Sequence, residues 1–147
     1  MKKLLITCLF LIISCGYKPI YVKNDQAILQ FNKIISNGDV KINKLIINNS
    51  GLKENSTNDR DLTISSSYEI EETSKNTKGQ VDTFRSVINI QLKIEKNGKI
   101  LKRKNFSNSS SYNNKDSKFD LIKIQNQIKD NLINELSGEI ILFLNLK

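Results

Sequence analysis

Leu62-Thr63-Ile64-Ser65-Ser66-Ser67-Tyr68-Glu69-Ile70-Glu71 alternates strictly, and Phe84-Arg85-Ser86-Val87-Ile88-Asn89-Ile90-Gln91-Leu92-Lys93-Ile94 repeats the pattern a short loop later. Side chains of a strand point to opposite faces with period two. Leu62, Ile64, Ser66, Tyr68 and Ile70 therefore share one face, as do Phe84, Ser86, Ile88, Ile90, Leu92 and Ile94. Thr63, Ser65, Ser67, Asn89 and Gln91 share the other, which stays polar. Such one-sided strands belong to an antiparallel sheet with one face packed and one wet. The segment between them, Thr73–Asp82, contains Lys75, Lys78 and Gly79 and reads as a hairpin loop.

After Ile94 comes Glu95-Lys96-Asn97-Gly98-Lys99, a tight turn, and then a more polar strand over Ile100–Tyr112, suited to an edge. A two-residue loop here would set Ile94 opposite Leu101 and Ile88 opposite Ser107. A three-residue loop, Lys96-Asn97-Gly98 with a left-handed glycine, would set Ile94 opposite Ile100 and Ile88 opposite Phe106. Burial of one face selects among registers, which predicts the three-residue loop.

Outward from this meander, the period becomes helical. Ser117 caps a terminal helix whose apolar face is Leu121, Ile124, Gln125, Ile128, Leu132, Leu136 and Ile140, with Gly138 as a candidate pause. On the N-terminal side, Ile42, Leu45 and Ile46 predict a helix over Val40–Asn49, capped by Asp39 in the turn Asn37-Gly38-Asp39. Ala27–Ser36 is short and rich in β-formers and predicts a first strand, while Ser50–Asp61 reads as loop. The order implies an α+β fold: a two-layer sandwich of about four mainly antiparallel strands with two helices on one face.

The chain opens Met1-Lys2-Lys3, runs apolar from Leu4 to Ile13, and continues Ser14-Cys15-Gly16. A basic start, a short apolar core and a small residue define a secretory signal peptide. The apolar run has about ten residues, roughly half of what spans a bilayer. Ile12-Ile13-Ser14-Cys15 also resembles the bacterial lipobox, in which a peptidase cuts before a cysteine already carrying diacylglycerol. This reading divides the chain into a signal over 1–14, a lipidated tether over 15–26 and a domain over 27–147. Acyl chains on Cys15 would hold the protein on a membrane, since each buried methylene adds about 0.8 kcal/mol. Glycine at position 16, where inner-membrane retention by the enteric sorting rule uses aspartate, resembles an outer-membrane address.

Composition narrows the chemistry. Lys2 and Lys3 leave with the signal, so 21 basic residues face 15 acidic ones, a formal +6. Nucleic acid is a poor partner: the only arginines are Arg60, Arg85 and Arg103, and base readers lean on the arginine fork. Anionic head groups and phosphates suit such charge better. The chain has no histidine, and its two cysteines are Cys8, inside the signal, and Cys15. Histidine-based triads and metal sites are excluded, and no cofactor is expected. The carboxylates Glu69, Glu71 and Glu72 leave a paired-carboxylate hydrolase as the enzymatic alternative. Their alternation with Tyr68 and Ile70 reads more simply as the wet face of a strand, so the expectation is a protein that is not an enzyme.

Three features together resemble LptE, the lipopolysaccharide-assembly lipoprotein family, in its alphaproteobacterial form. These are Cys15-Gly16-Tyr17-Lys18-Pro19-Ile20-Tyr21, the order of elements, and Ser111-Tyr112-Asn113 followed by Phe119-Asp120-Leu121 and a long helix. The resemblance implies an outer-membrane lipoprotein facing the periplasm. It implies as partners an LptD-like β-barrel, which such a protein plugs and helps assemble, and lipopolysaccharide on its way to the outer leaflet. It also implies lipopolysaccharide contact through the loop bearing Lys75 and Lys78. The alternative within the same class is an unrelated periplasm-facing lipoprotein that binds another lipid or protein. The first expected outcome concerns processing: mass spectrometry of the native protein should find an acylated N-terminus at Cys15, and Cys15→Ser should leave it unprocessed or soluble. A native chain still beginning at Met1 would remove the lipoprotein reading.

Overall fold

The computed structural model describes residues 29–145. The signal over 1–14, the tether over 15–26 and Cys15 lie outside the described residues. Within them the elements run β1 (Gln30–Phe31), β2 (Lys33–Gly38), α1 (Val40–Asn49), β3 (Lys53–Glu54), β4 (Arg60–Lys75), β5 (Val81–Lys96), β6 (Lys99–Asn113) and α2 (Lys118–Asn145). The main sheet has the order β2-β4-β5-β6, and β1 pairs with β3 in a small second sheet. This is the expected α+β two-layer sandwich, with β6 at an edge.

The β4–β5 hairpin organises the core. Leu62 lies opposite Ile94, Ile64 opposite Leu92 and Tyr68 opposite Ile88, so alternating apolar residues of both strands face the same side. Helices α1 and α2 seal that side: Ile42 and Ile46 from α1, and Leu132, Ile133, Leu136 and Ile140 from α2, are buried with Leu62, Ile64, Ile88, Ile90, Leu92 and Phe106. Truncating one such side chain to alanine costs about 2–5 kcal/mol.

The β5–β6 turn differs from the sequence expectation. Lys96 pairs with Lys99 across a two-residue loop in which Asn97 and Gly98 both have positive φ, 51° and 75°. That is the turn whose twist suits a hairpin. A register shift follows at once, because Glu95 pairs with Ile100 but Ile94 pairs with Lys102. Leu101 is thus the extra residue of a bulge. Beyond it Ile90 faces Phe106 and Ile88 faces Asn108. The burial argument was right that a residue must be inserted to put Phe106 on the core side. It misplaced the insertion: the strand absorbs it after the turn, which leaves the favoured Asn-Gly loop intact.

The N-terminal strand also divides. Asn32 interrupts it, its N–H bonding the Arg60 carbonyl at 2.7 Å and its side chain bonding Asp61 at 2.8 Å. Gln30–Phe31 then pairs parallel with Lys53–Glu54, inside the segment expected to be loop, and Leu52 enters the core there. Lys33–Gly38 pairs parallel with β4. A parallel neighbour needs a long crossover, and α1 with β3 supplies it. In α1 the buried residues are Ile42, Asn43 and Ile46, whereas Leu45 is 39% exposed. Asn43 turns inward because its Nδ2 donates to the Asn37 carbonyl at 2.7 Å, closing the strand-to-helix turn. Helix α2 is continuous through Gly138, and Ser117 Oγ accepts from the Asp120 N–H at 3.3 Å, as the cap requires.

Two residues where β2 passes into α1, Gly38 at the end of the strand and Asp39 after it, bear the tightest constraints. Asp39 Oδ1 accepts from the Lys41 and Ile42 N–H groups at 2.9 and 3.1 Å. Gly38 has φ +79°, and a Cβ there would lie 2.0 Å from the Ser66 carbonyl oxygen on the neighbouring strand. Gly79 and Gly98 also have positive φ but open space around them. Gly38→Ala should therefore destabilise by more than about 2 kcal/mol and clearly more than Gly79→Ala, which meets backbone strain alone. Asp39→Ala should cost about 1 kcal/mol. Urea melts of the three variants check the ranking, and equal losses for the two glycine variants would contradict it.

Candidate functional site

With the helices on one side, the other side of the sheet is left open. Its residues follow from the register: Ser65 opposite Gln91, Ser67 opposite Asn89, and then Gln91 opposite Asn105 and Asn89 opposite Ser107. The polar groups of β5 and β6 satisfy one another. Gln91 Nε2 donates to Asn105 Oδ1 at 2.9 Å, and Ser107 Oγ donates to Asn89 Oδ1 at 2.7 Å. A shallow groove of about 520 Å³ runs along this face, over the Ser65–Ser67, Asn89–Gln91 and Asn105–Ser107 segments. Asn105 and Ser107 were not singled out from the sequence. The signal was there, since they alternate with Phe106, but using it needed the register that the Leu101 bulge sets.

The carboxylate cluster disperses. Glu71 faces Arg85 at 3.8 Å and Glu72 faces Lys75 at 3.6 Å, all substantially exposed. Lys75 is the last residue of β4 and Lys78 lies in the turn beyond it. The loop is shorter than expected, since the strands run on to Lys75 and resume at Val81. Asn76 Oδ1 accepts from the Lys78 and Gln80 N–H groups, each at 3.0 Å, and so stiffens the turn. From Ile70 to Lys75 β4 is exposed throughout, so this end of the hairpin forms an arm. At its base Tyr68 Oη lies 3.0 Å from the buried Ser86 Oγ, which donates to Tyr112 Oη at 3.5 Å. Tyr112 also stacks on Phe84 with centroids 5.8 Å apart. Burial raises the Tyr68 phenol above its ordinary range; the Ser86 hydrogen bond opposes this and the neighbouring Tyr112 adds to it.

The two ends of the sheet differ. β4 has 16 residues and at about 3.3 Å each spans roughly 50 Å. The loop with Lys78 is at one end. At the other, Leu29, where the described chain begins, lines a cleft of about 330 Å³ with Phe31, Arg60, Ile94, Leu101 and Leu144. Leu29 thus lies at the end of the sheet opposite Lys75 and Lys78. Among the described residues no helix is long and apolar enough to cross a membrane.

The long three-stranded meander, its parallel edge strand and the two helices on one face define a fold seen in bacterial lipoproteins. Rare lipoprotein B from Shewanella oneidensis superposes with a TM-score of 0.58 at 13% identity, covering 77% of this chain and 93% of that one. A minor lipoprotein from Acinetobacter baumannii gives 0.55 at 12% identity, over 79% and 92% of the two chains. Lipoprotein B from Nitrosomonas europaea gives 0.55 at 10% identity, over 77% and 81%. At such identities the likeness establishes the shared fold. No family model matches the sequence, and no curated protein matches it.

The tyrosine network has a measurable consequence. A phenol whose pKa is raised on folding contributes stability that is present below its unfolded value, about 10, and is lost as pH rises through the folded value. Stability should therefore fall on the alkaline side of about pH 10, and Tyr68→Phe should flatten that decline. An identical alkaline limb in the variant would show that Tyr68 does not carry it.

Proposed function

We propose that this protein is an outer-membrane lipoprotein that works by contact: it sits within an LptD-like β-barrel, assists its assembly and takes part in passing lipopolysaccharide to the outer leaflet. The observation that carries the proposal is the open sheet face with its side-chain hydrogen bonds, Gln91 to Asn105 and Ser107 to Asn89. A face of serine, asparagine and glutamine is unlike the apolar centre of an obligate dimer. It matches the polar interior of an outer-membrane barrel. The lipobox-like Ile12-Ile13-Ser14-Cys15 and the fold shared with proteins described as lipoproteins support the anchor.

The polarity of the molecule supports the direction. Acyl groups on Cys15 would hold one end of the sheet, and the arm with Lys75 and Lys78 would project roughly 50 Å away. There the two ammonium groups would meet the phosphates of lipid A. Lys75 already has Glu72 at 3.6 Å, so Lys78 at the turn is the freer to engage. Catalysis has no part in this role.

Depleting the protein should leave the barrel misassembled and lipopolysaccharide missing from the cell surface. Photo-crosslinkers at Ser65 and Asn89 should capture barrel peptides, whereas crosslinkers on the helix face at Asn126 should not. Normal surface lipopolysaccharide after depletion, with no crosslink from the open face, would overturn the proposal. Within it, Lys75→Glu with Lys78→Glu should weaken lipopolysaccharide binding at low salt, where such attraction is strongest, and leave the melting temperature unchanged. Unaltered binding would remove the arm from the lipopolysaccharide site.

A further inference from the structure

The end of the sheet near Leu29 has a character that the contact with a barrel does not use. Lys96, Lys99, Lys102, Arg103 and Lys104 fall within nine residues that contain no acid. Between them stand Ile100 and Leu101, 46% and 48% exposed, although both belong to a strand that could turn apolar side chains inward. The bulge is the cause: with Leu101 as the extra residue, two consecutive apolar side chains are held at the hairpin tip. On the last turns of α2, Leu142 is 65% exposed. The ring of Phe143 lies under the ammonium groups of Lys102 and Lys104, at 5.7 and 5.3 Å. Arg60 lies 5.8 Å over the ring of Phe31.

Among the described residues four side-chain carboxylates share this end, and each has a partner. Asp59 pairs with Lys96, which holds its carboxyl below the usual range. Glu95 pairs with Lys93 at 3.0 Å. Asp61 accepts from Asn32, and Glu54 accepts from the Ile34 N–H. Among the described residues the hairpin's own cations, five from Lys96 to Lys104, thus outnumber these acids.

Exposed lysines alone would be a solvated surface. Here they ring adjacent exposed aliphatic side chains, and the chain leading to Cys15 enters through the same cleft, since Leu29 and Leu101 both line it. The 14 residues from Cys15 to Leu29 reach at most roughly 50 Å, so an acylated Cys15 bounds the distance of this end from the bilayer, while the arm can lie a further sheet length away. We propose that the β5–β6 hairpin is a second membrane attachment. Ile100 and Leu101 enter the head-group layer of an anionic phospholipid leaflet, and Lys99, Lys102, Arg103 and Lys104 lie on its phosphates. Aliphatic insertion and electrostatic attraction act together in such contacts. Attached at two points, the sheet would stand with its long axis away from the membrane. The inference takes from the preceding reading only the acyl anchor at Cys15, which decides the tethered end; it requires no barrel.

The test uses the chain from residue 15 onward with Cys15→Ser, so that no acyl group contributes and every described residue of the buried cluster is kept. Co-sedimentation with vesicles of phosphatidylcholine and phosphatidylglycerol should show binding that falls at high salt and is absent on phosphatidylcholine alone. Each cation near an anionic surface is worth about fivefold in affinity, so Lys99→Gln with Arg103→Gln should weaken binding on the order of 30-fold. Ile100→Ser should weaken it further, with an unchanged melting temperature. Lys115→Gln with Lys118→Gln removes the same charge at the opposite end and should bind as the parent does. Equal loss in this second pair, or equal binding to neutral vesicles, would overturn the hairpin as the attachment. The vesicles contain no barrel, so failure here leaves the barrel contact standing, and failure of the barrel crosslinks leaves this contact standing.

Discussion

Leu62, Ile64, Ile88, Ile90, Leu92 and Ile94 point to one side of a single sheet because β4 and β5 pair in a register that places even-numbered residues opposite even-numbered ones. A slip of one residue would send one strand's entire apolar set to the wet side. Everything else is arranged around that alignment. The side it makes apolar must be covered, and α1 and α2 cover it. The side it makes polar needs no cover. The Leu101 bulge brings β6 into the same parity, which buries Phe106 and places Asn105 and Ser107 beside Gln91 and Asn89. One alignment thus yields both the core and the open polar face.

The hairpin also extends beyond what the helices cover. From Ile70 onward β4 leaves the core and is exposed, held to β5 by the backbone ladder and by hydroxyl contacts such as Thr73 with Thr83 at 2.6 Å. The Tyr68–Ser86–Tyr112 network closes the core where the arm begins. At the opposite end the small β1–β3 sheet, the β5–β6 turn and the last turn of α2 gather around Leu29. The protein is therefore polar along its length: a covered middle, an open arm, and a basic end at which the chain enters. A stiff antiparallel hairpin supplies this asymmetry without a larger core.

Several elements were legible from residues alone because their causes are local. Alternation in β4 and β5 is a property of each strand, so the two faces could be assigned before any pairing was known. Helix α1 was legible from its apolar spacing and from Asp39, whose carboxylate caps the first turn. The start of α2 followed from Ser117, and the open polar face from Ser65, Ser67, Asn89 and Gln91, whereas Thr63 of the same parity is buried. Sequence also placed Lys75 and Lys78 near the same hairpin end, although Lys75 closes β4 instead of lying in the loop.

Other features depended on partners far away in the chain. Asn32 splits the first strand because Arg60 and Asp61 stand beside it. Lys53–Glu54 becomes a strand because Gln30–Phe31 lies next to it. Asn43 displaces Leu45 from the interior because the Asn37 carbonyl is within reach of its amide. The parity of β6 could be argued from burial, but either the turn or the strand could take the extra residue. The preference of Asn97-Gly98 for its two-residue turn, set against the demand to bury Phe106, moved it to Leu101. That choice exposes Ile100 and Leu101 amid the hairpin's cations. Sequence determined which residues could face the core, because side-chain alternation is set strand by strand. Only the tertiary structure decided where each strand began, which neighbour it took and which end of the sheet became basic, because pairing and burial are settled between segments distant in the chain.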